Sequence, residues 1–119
     1  MKTHLSLIIS PDKGMEFQAE LFLKSVKKFS KLDNYTCSVG INPDAEISNQ
    51  YVLSNSHVFN YKSLYGLEPP WRGGLPRWEY QSNADVTIIS DADILCCNDV
   101  RPLVNICYEE QAVCGVQAH

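Results

Sequence analysis

Four short runs rich in β-branched, aromatic and other apolar residues constrain this chain more than any other feature. They are LSLII (5–9), YTCSVGI (35–41), HVFNY (57–61) and VTII (86–89). Each has the length and residue types of a strand that fits a half-buried pleated surface. The segments between them are long enough to cross a sheet. Ser10 to Gly14 reads as a turn around Pro11. Residues 15–31 then carry Phe17, Leu21, Phe22, Val26 and Phe29 at steps of mostly three and four, which predicts a helix with one apolar face. Lys24, Lys27, Lys28 and Lys31 fall late in that helix, where cations suit the negative end of its dipole, and read as a solvated face. Asp33 and Asn34 break it. Residues 45–53 read as a weak helix or irregular segment. A long Gly-, Pro- and aromatic-rich loop over 62–76 leads to a short helix at 77–83. Asp99 is placed to cap a helix from Val100 to about Glu110, with Pro102 tolerated in its first turn. AVCGVQA (112–118) reads as a last strand. The alternation predicts an α/β fold with a mostly parallel sheet of about five strands and helices on both faces. Residues 86–89, apolar on both faces, are expected at the centre of that sheet.

Bulk properties exclude several classes. The length of 119 residues suits one domain with one modest core. A net charge of -4 gives no electrostatic reason to expect DNA or RNA binding. No apolar stretch is long enough to span a bilayer. The opening MKTHLSLIISPDKG is a poor signal peptide, because Pro11, Asp12 and Lys13 stand where small cleavage-site residues belong. The five cysteines are odd in number and form no CxxC pair, which supports neither a disulfide framework nor a zinc site. A reducing, cytoplasmic setting is the simplest expectation. The adjacent Cys96 and Cys97 read as small apolar residues.

The chemistry concentrates in TIISDADILCCND (87–99), where two acids follow an apolar strand. In open α/β sheets ligands bind outside the carboxyl ends of the strands, and Asp91 and Asp93 stand at such an end. Residues i and i+2 of an extended chain point to one side, and Ala92 is small enough to admit a ligand. Two carboxylates facing a diphosphate of about two negative charges at ~4 Å repel it by about 4 kcal/mol even in water. A divalent cation reverses that sign. Mg²⁺ and Mn²⁺ take oxygen ligands and are commonly held by one or two carboxylates plus substrate phosphates.

These residues resemble a family. TIISDADILCCNDVRPLV looks like the D-x-D segment of GT-A fold glycosyltransferases: apolar strand, D-A-D, apolar stretch, then Asp, x, x, Pro, Leu. The upstream PRWEYQSNAD resembles the helix entering that strand. Residues 76–104 carry the specific motif, and element order extends the likeness along the chain. The resemblance implies a three-layer, Rossmann-like sheet of GT-A type and transfer of a sugar from a UDP- or GDP-sugar to an unidentified acceptor. It implies Mn²⁺ or Mg²⁺ on Asp93 directly. It puts Asp91 on the ribose or on the metal through water, and Ser10, Pro11 and Asp12 near the nucleobase. GT-A enzymes usually continue into an acceptor half, so residues 1–119 are expected to be the donor half of a GT-A-like domain, inactive alone.

Other residues have competing readings. Arg72 and Arg77 flank Gly73 and Gly74 and are placed to bring guanidinium onto the diphosphate, or else are solvated loop residues. Trp71 and Trp78 are expected to plug the core, with stacking on a base or sugar as the alternative. His57 reads as a core or edge histidine, and His119 as a weak metal candidate. A haloacid-dehalogenase-type phosphatase also uses D-x-D after a strand, but there D-G-T follows, and here Ile94 and Leu95 do. The SPDKG turn lacks the Gly-rich loop of a nucleotidyltransferase. A non-catalytic nucleotide-binding or interaction module is the remaining alternative.

Overall fold

The computed structural model describes residues 1–11, 14–62, 75–80 and 82–115. Four parallel strands form one sheet in the order β3-β2-β1-β4, with β1 Thr3–Ile8, β2 Tyr35–Ile41, β3 His57–Asn60 and β4 Val86–Ile89. The connections carry α1 (Met15–Phe29), α2 (Gln50–Asn55) and a 3-10 turn (Leu75–Trp78), and α3 (Arg101–Glu110) follows β4. The chain is therefore α/β, as the alternation predicts. No helix among the described residues is long and apolar enough to cross a membrane.

The strands alternate cleanly. Leu5, Leu7 and Ile9 share one face with Cys37, Val39 and Ile41, and all six are buried against Ala19, Phe22, Leu23 and Val26 of α1 and Val52 of α2. Burying each large side chain there contributes about 1.5–3 kcal/mol. The opposite face is polar along β1 and β2. His4 is buried with Nδ1 2.7 Å from Thr36 Oγ1 and Nε2 2.9 Å from Ser38 Oγ, and its ring stacks on Tyr80. Ser6 Oγ donates to the Arg77 carbonyl at 2.6 Å, which ties the 3-10 turn to this face.

Two acids of α1 set the start of α2. Glu16 Oε1 accepts from the backbone N–H of Ser48 and Asn49, and Glu20 Oε1 accepts from Asn49 Nδ2. Asn49 then caps α2 through its own Oδ1, which accepts from Val52 N at 3.0 Å. At α3 the expected Asp99 cap is not found: Val100 is the N-cap, with no side-chain cap bond, and Asp99 stands one residue before it. Its Oδ1 accepts from Arg101 N two residues on, and its carboxylate pairs with the Arg101 side chain, which pulls its pKa down to about 2.

Five further expectations fail. The short helix expected over 77–83 is a 3-10 turn, Leu75–Trp78. β4 lies at the edge of the described sheet, not its centre: β1 pairs with both β2 and β4. The apolar character of VTII comes from a groove of about 620 Å³ between β4 and α3, lined by Ile88, Ile89, Leu103 and Val104 among others. Trp78 stands 59% exposed at that groove rather than plugging the core. Residues 112–115 are not strand: Gln111 turns the chain in a left-handed conformation (φ 50), and its N–H reaches the Tyr108 carbonyl. Residues 116–119, including His119, lie outside the described residues, as does Trp71. Finally, α1 buries Phe22 and Val26 but leaves Phe17, Leu21 and Phe29 exposed. His57 sits exposed on the outer strand β3, its ring against Phe59 and Tyr80.

Candidate functional site

β1 and β4 run side by side in parallel, with Ser6 opposite Ile89, and Ser90 N donates to the Ser6 carbonyl. Their carboxyl ends therefore emerge together, the position where open parallel sheets leave a crevice. A cleft of about 670 Å³ opens there. Ile8, Ile9 and Ser10 line it from β1, and Met15 and Gln18 from the first turn of α1. Tyr61, just after β3, and Arg77 add to the walls, and Asp91, Ala92 and Asp93 close the far side.

The two acids reach this cleft differently from the extended-chain argument. Residues 92 and 93 form a turn, not a continuing strand. Ala92 is 5% exposed and packs into the hydrophobic core, while Asp91 and Asp93 on either side are exposed. A small apolar anchor between two solvated acids thus sits beside the cleft that both acids line.

Arg77 does not stand free for a ligand. Its Nη2 pairs with Asp91 Oδ1, and its Nε donates to the Ser90 carbonyl at 3.2 Å. The guanidinium so offsets the charge of Asp91. Asp93 makes no ion pair with a described residue, so the unbalanced negative charge of the cleft resides on it. No group of three or more His, Cys, Asp or Glu side chains gathers to hold a metal ion among the described residues. Two carboxylates suit Mg²⁺ or Mn²⁺ completed by phosphate and water oxygens, and do not suit a protein-caged zinc.

Of the predicted site residues, Ser10, Arg77, Asp91 and Asp93 are brought together in one cleft. Pro11 follows Ser10 directly and is partly buried. Asp12 and Arg72 lie outside the described residues. Sequence reasoning missed Met15, Gln18 and Tyr61. The signal for the first two was present: a helix entered by a short turn from a parallel strand places its first turn at the carboxyl edge of the sheet. Comparison with protein families, with curated proteins and with solved structures gives no match to this chain.

Proposed function

We propose that this chain is the donor-binding part of a glycosyltransferase that moves a sugar from a nucleotide diphosphate sugar. One observation carries the reading: Asp91 and Asp93 of the D-A-D segment converge, with Ser10 and Arg77, on the cleft at the carboxyl ends of β1 and β4. A divalent cation bound there supplies Lewis-acid neutralisation of the departing diphosphate. Asp93, exposed and without an ion-pair partner among the described residues, is its direct carboxylate ligand. Asp91, oriented by Arg77, accepts a ribose hydroxyl or a metal-bound water. Ser10 and the turn beside it border the base.

A second reading is favoured by the same pair. With Asp91 already engaged by Arg77, the donor set is sparse, which fits a module that binds a nucleotide without turning it over. Calorimetric titration with UDP and GDP, in Mn²⁺ and in chelator, tests the shared core of both readings. Weak binding in chelator, stronger binding in Mn²⁺ and loss of most of that gain in Asp93→Asn are expected. Equal affinity in metal and chelator sinks the metal bridge. Hydrolysis of the sugar donor in Mn²⁺ would exclude the passive module, whereas its absence is expected of a donor half and of the module alike.

A further inference from the structure

The outer side of α1 is unlike an ordinary solvated helix face. Phe17 is 57% exposed and Leu21 38% exposed. At 3.6 residues per turn these two fall with Lys24 and Lys28 inside an arc of about 60°, pointing away from the core that Phe22 and Val26 enter. Phe29, 40% exposed, continues the apolar surface on one flank, with Lys28 Nζ 5.2 Å from its ring centroid. Leu95, 57% exposed, adds to that flank, because Cys96 N donates to Ser25 Oγ at 2.8 Å and holds its loop against the helix. Lys27 lies on the other flank and Lys31 just past the C-terminus of the helix. Neither makes an ion pair with a described residue, whereas Lys24 is tied to Glu20. Three of the chain's ten basic residues, Lys24, Lys27 and Lys28, thus lie on this helix surface, with Lys31 just beyond its end, in a protein whose net charge is -4.

We propose that this face of α1 docks on a lipid bilayer of net negative charge. A helix docked with Phe17 and Leu21 toward the acyl boundary lets the lysines on and beside the same arc snorkel to the headgroups, so apolar burial and charge hold it together. The charges select this occupant over a second copy of the chain. A two-fold interface brings the same patch onto itself, which sets lysine against lysine. The surface is also the convex side of a single helix, which matches a deformable planar layer better than a shaped protein pocket. The inference is independent of the chemistry proposed for the cleft.

Co-sedimentation of the 119-residue chain with vesicles tests it. Phosphatidylcholine vesicles are compared with phosphatidylcholine–phosphatidylglycerol vesicles, at low NaCl and at about 1 M, where screening is nearly complete. Binding to the anionic vesicles alone, lost at high salt, is expected. Lys27→Ala with Lys28→Ala should lower that affinity about 30-fold. Phe17→Ser with Leu21→Ser should lower it about tenfold at unchanged charge. All four positions are exposed, and circular dichroism confirms that both variants keep the fold. Equal binding to neutral vesicles, or none to anionic ones, overturns the proposal. So does concentration-dependent self-association that Phe17→Ser abolishes, since the face would then belong to a protein interface.

Discussion

Arg77 donates one hydrogen bond from Nε to the Ser90 carbonyl and pairs through Nη2 with the carboxylate of the next residue, Asp91. A residue of the 3-10 turn thus clamps the end of β4 at two successive positions. The clamp brings a loop residue 14 positions upstream to the same cleft as the acids.

Arg77→Ala leaves Asp91 unbalanced and makes the cleft more negative. Metal-free nucleotide affinity should fall several-fold, while the gain on adding Mn²⁺ should grow. Asp91→Asn should do the reverse. The pair is largely solvent-exposed on the Asp91 side, so its effect on stability should stay within about 1 kcal/mol. Titrations of both variants in metal and in chelator read the two effects separately, and changes of the same sign in both variants would remove the electrostatic account.

His4 sets a pH dependence of stability. Burial first, then the charges of Lys2 and His57, lower its pKa from the ordinary 6.5. A folded pKa below the unfolded value means the unfolded chain takes up the proton more readily. Stability is therefore full above about pH 7, starts to fall as pH drops through 6.5, and the loss is complete below the lowered folded value. His4→Gln keeps polar atoms near Thr36 and Ser38 but cannot titrate. Urea unfolding at about pH 7 and about pH 5 should show a smaller difference for the variant than for the parent chain.

Asn49→Ala removes the acceptor for Val52 N and the donor to Glu20. Loss of such a cap costs about 1 kcal/mol. For a chain of this size that is a fall in Tm of about 4 °C. Asn49→Asp keeps the cap oxygen but brings a second acid to Glu20, so it should recover only part of the loss. Thermal melts followed at 222 nm rank the three proteins.

Gly40 packs where a Cβ would come 3.0 Å from Phe59 Cζ and 3.2 Å from Ile8 Cγ2. Gly40→Ala therefore forces the Phe59 ring or Ile8 to shift, at about 1–3 kcal/mol. Phe59→Leu should relieve the crowding. The double variant should then be more stable than the sum of the two single changes allows, which a double-mutant cycle in denaturant measures directly. Since Ile8 also lines the cleft, any shift there should show as weaker nucleotide binding.

Much of this molecule is legible in its sequence, and the legible part is local. The strands at LSLII, YTCSVGI, HVFNY and VTII form close to where residue type places them, because β-branched and aromatic side chains favour the extended backbone over a few residues. The alternation with helices is enough to dictate a parallel sheet, and that in turn puts Asp91 and Asp93 at its carboxyl edge. What tertiary structure alone decided is which neighbour each element meets. VTII is apolar on both faces whether it lies between two strands or at an edge beside α3, so composition could not choose. Phe29 falls close to Phe22 and Val26 on the helical period, and only packing left it exposed; Phe17, about 180° from Val26, stands on the far side of α1 by period alone. Arg77 carries no mark of its partner, since the carboxylate that holds it comes from a loop closed only when β4 pairs with β1. Short-range preferences are written residue by residue. Pairings across the sheet are a property of the whole packed chain.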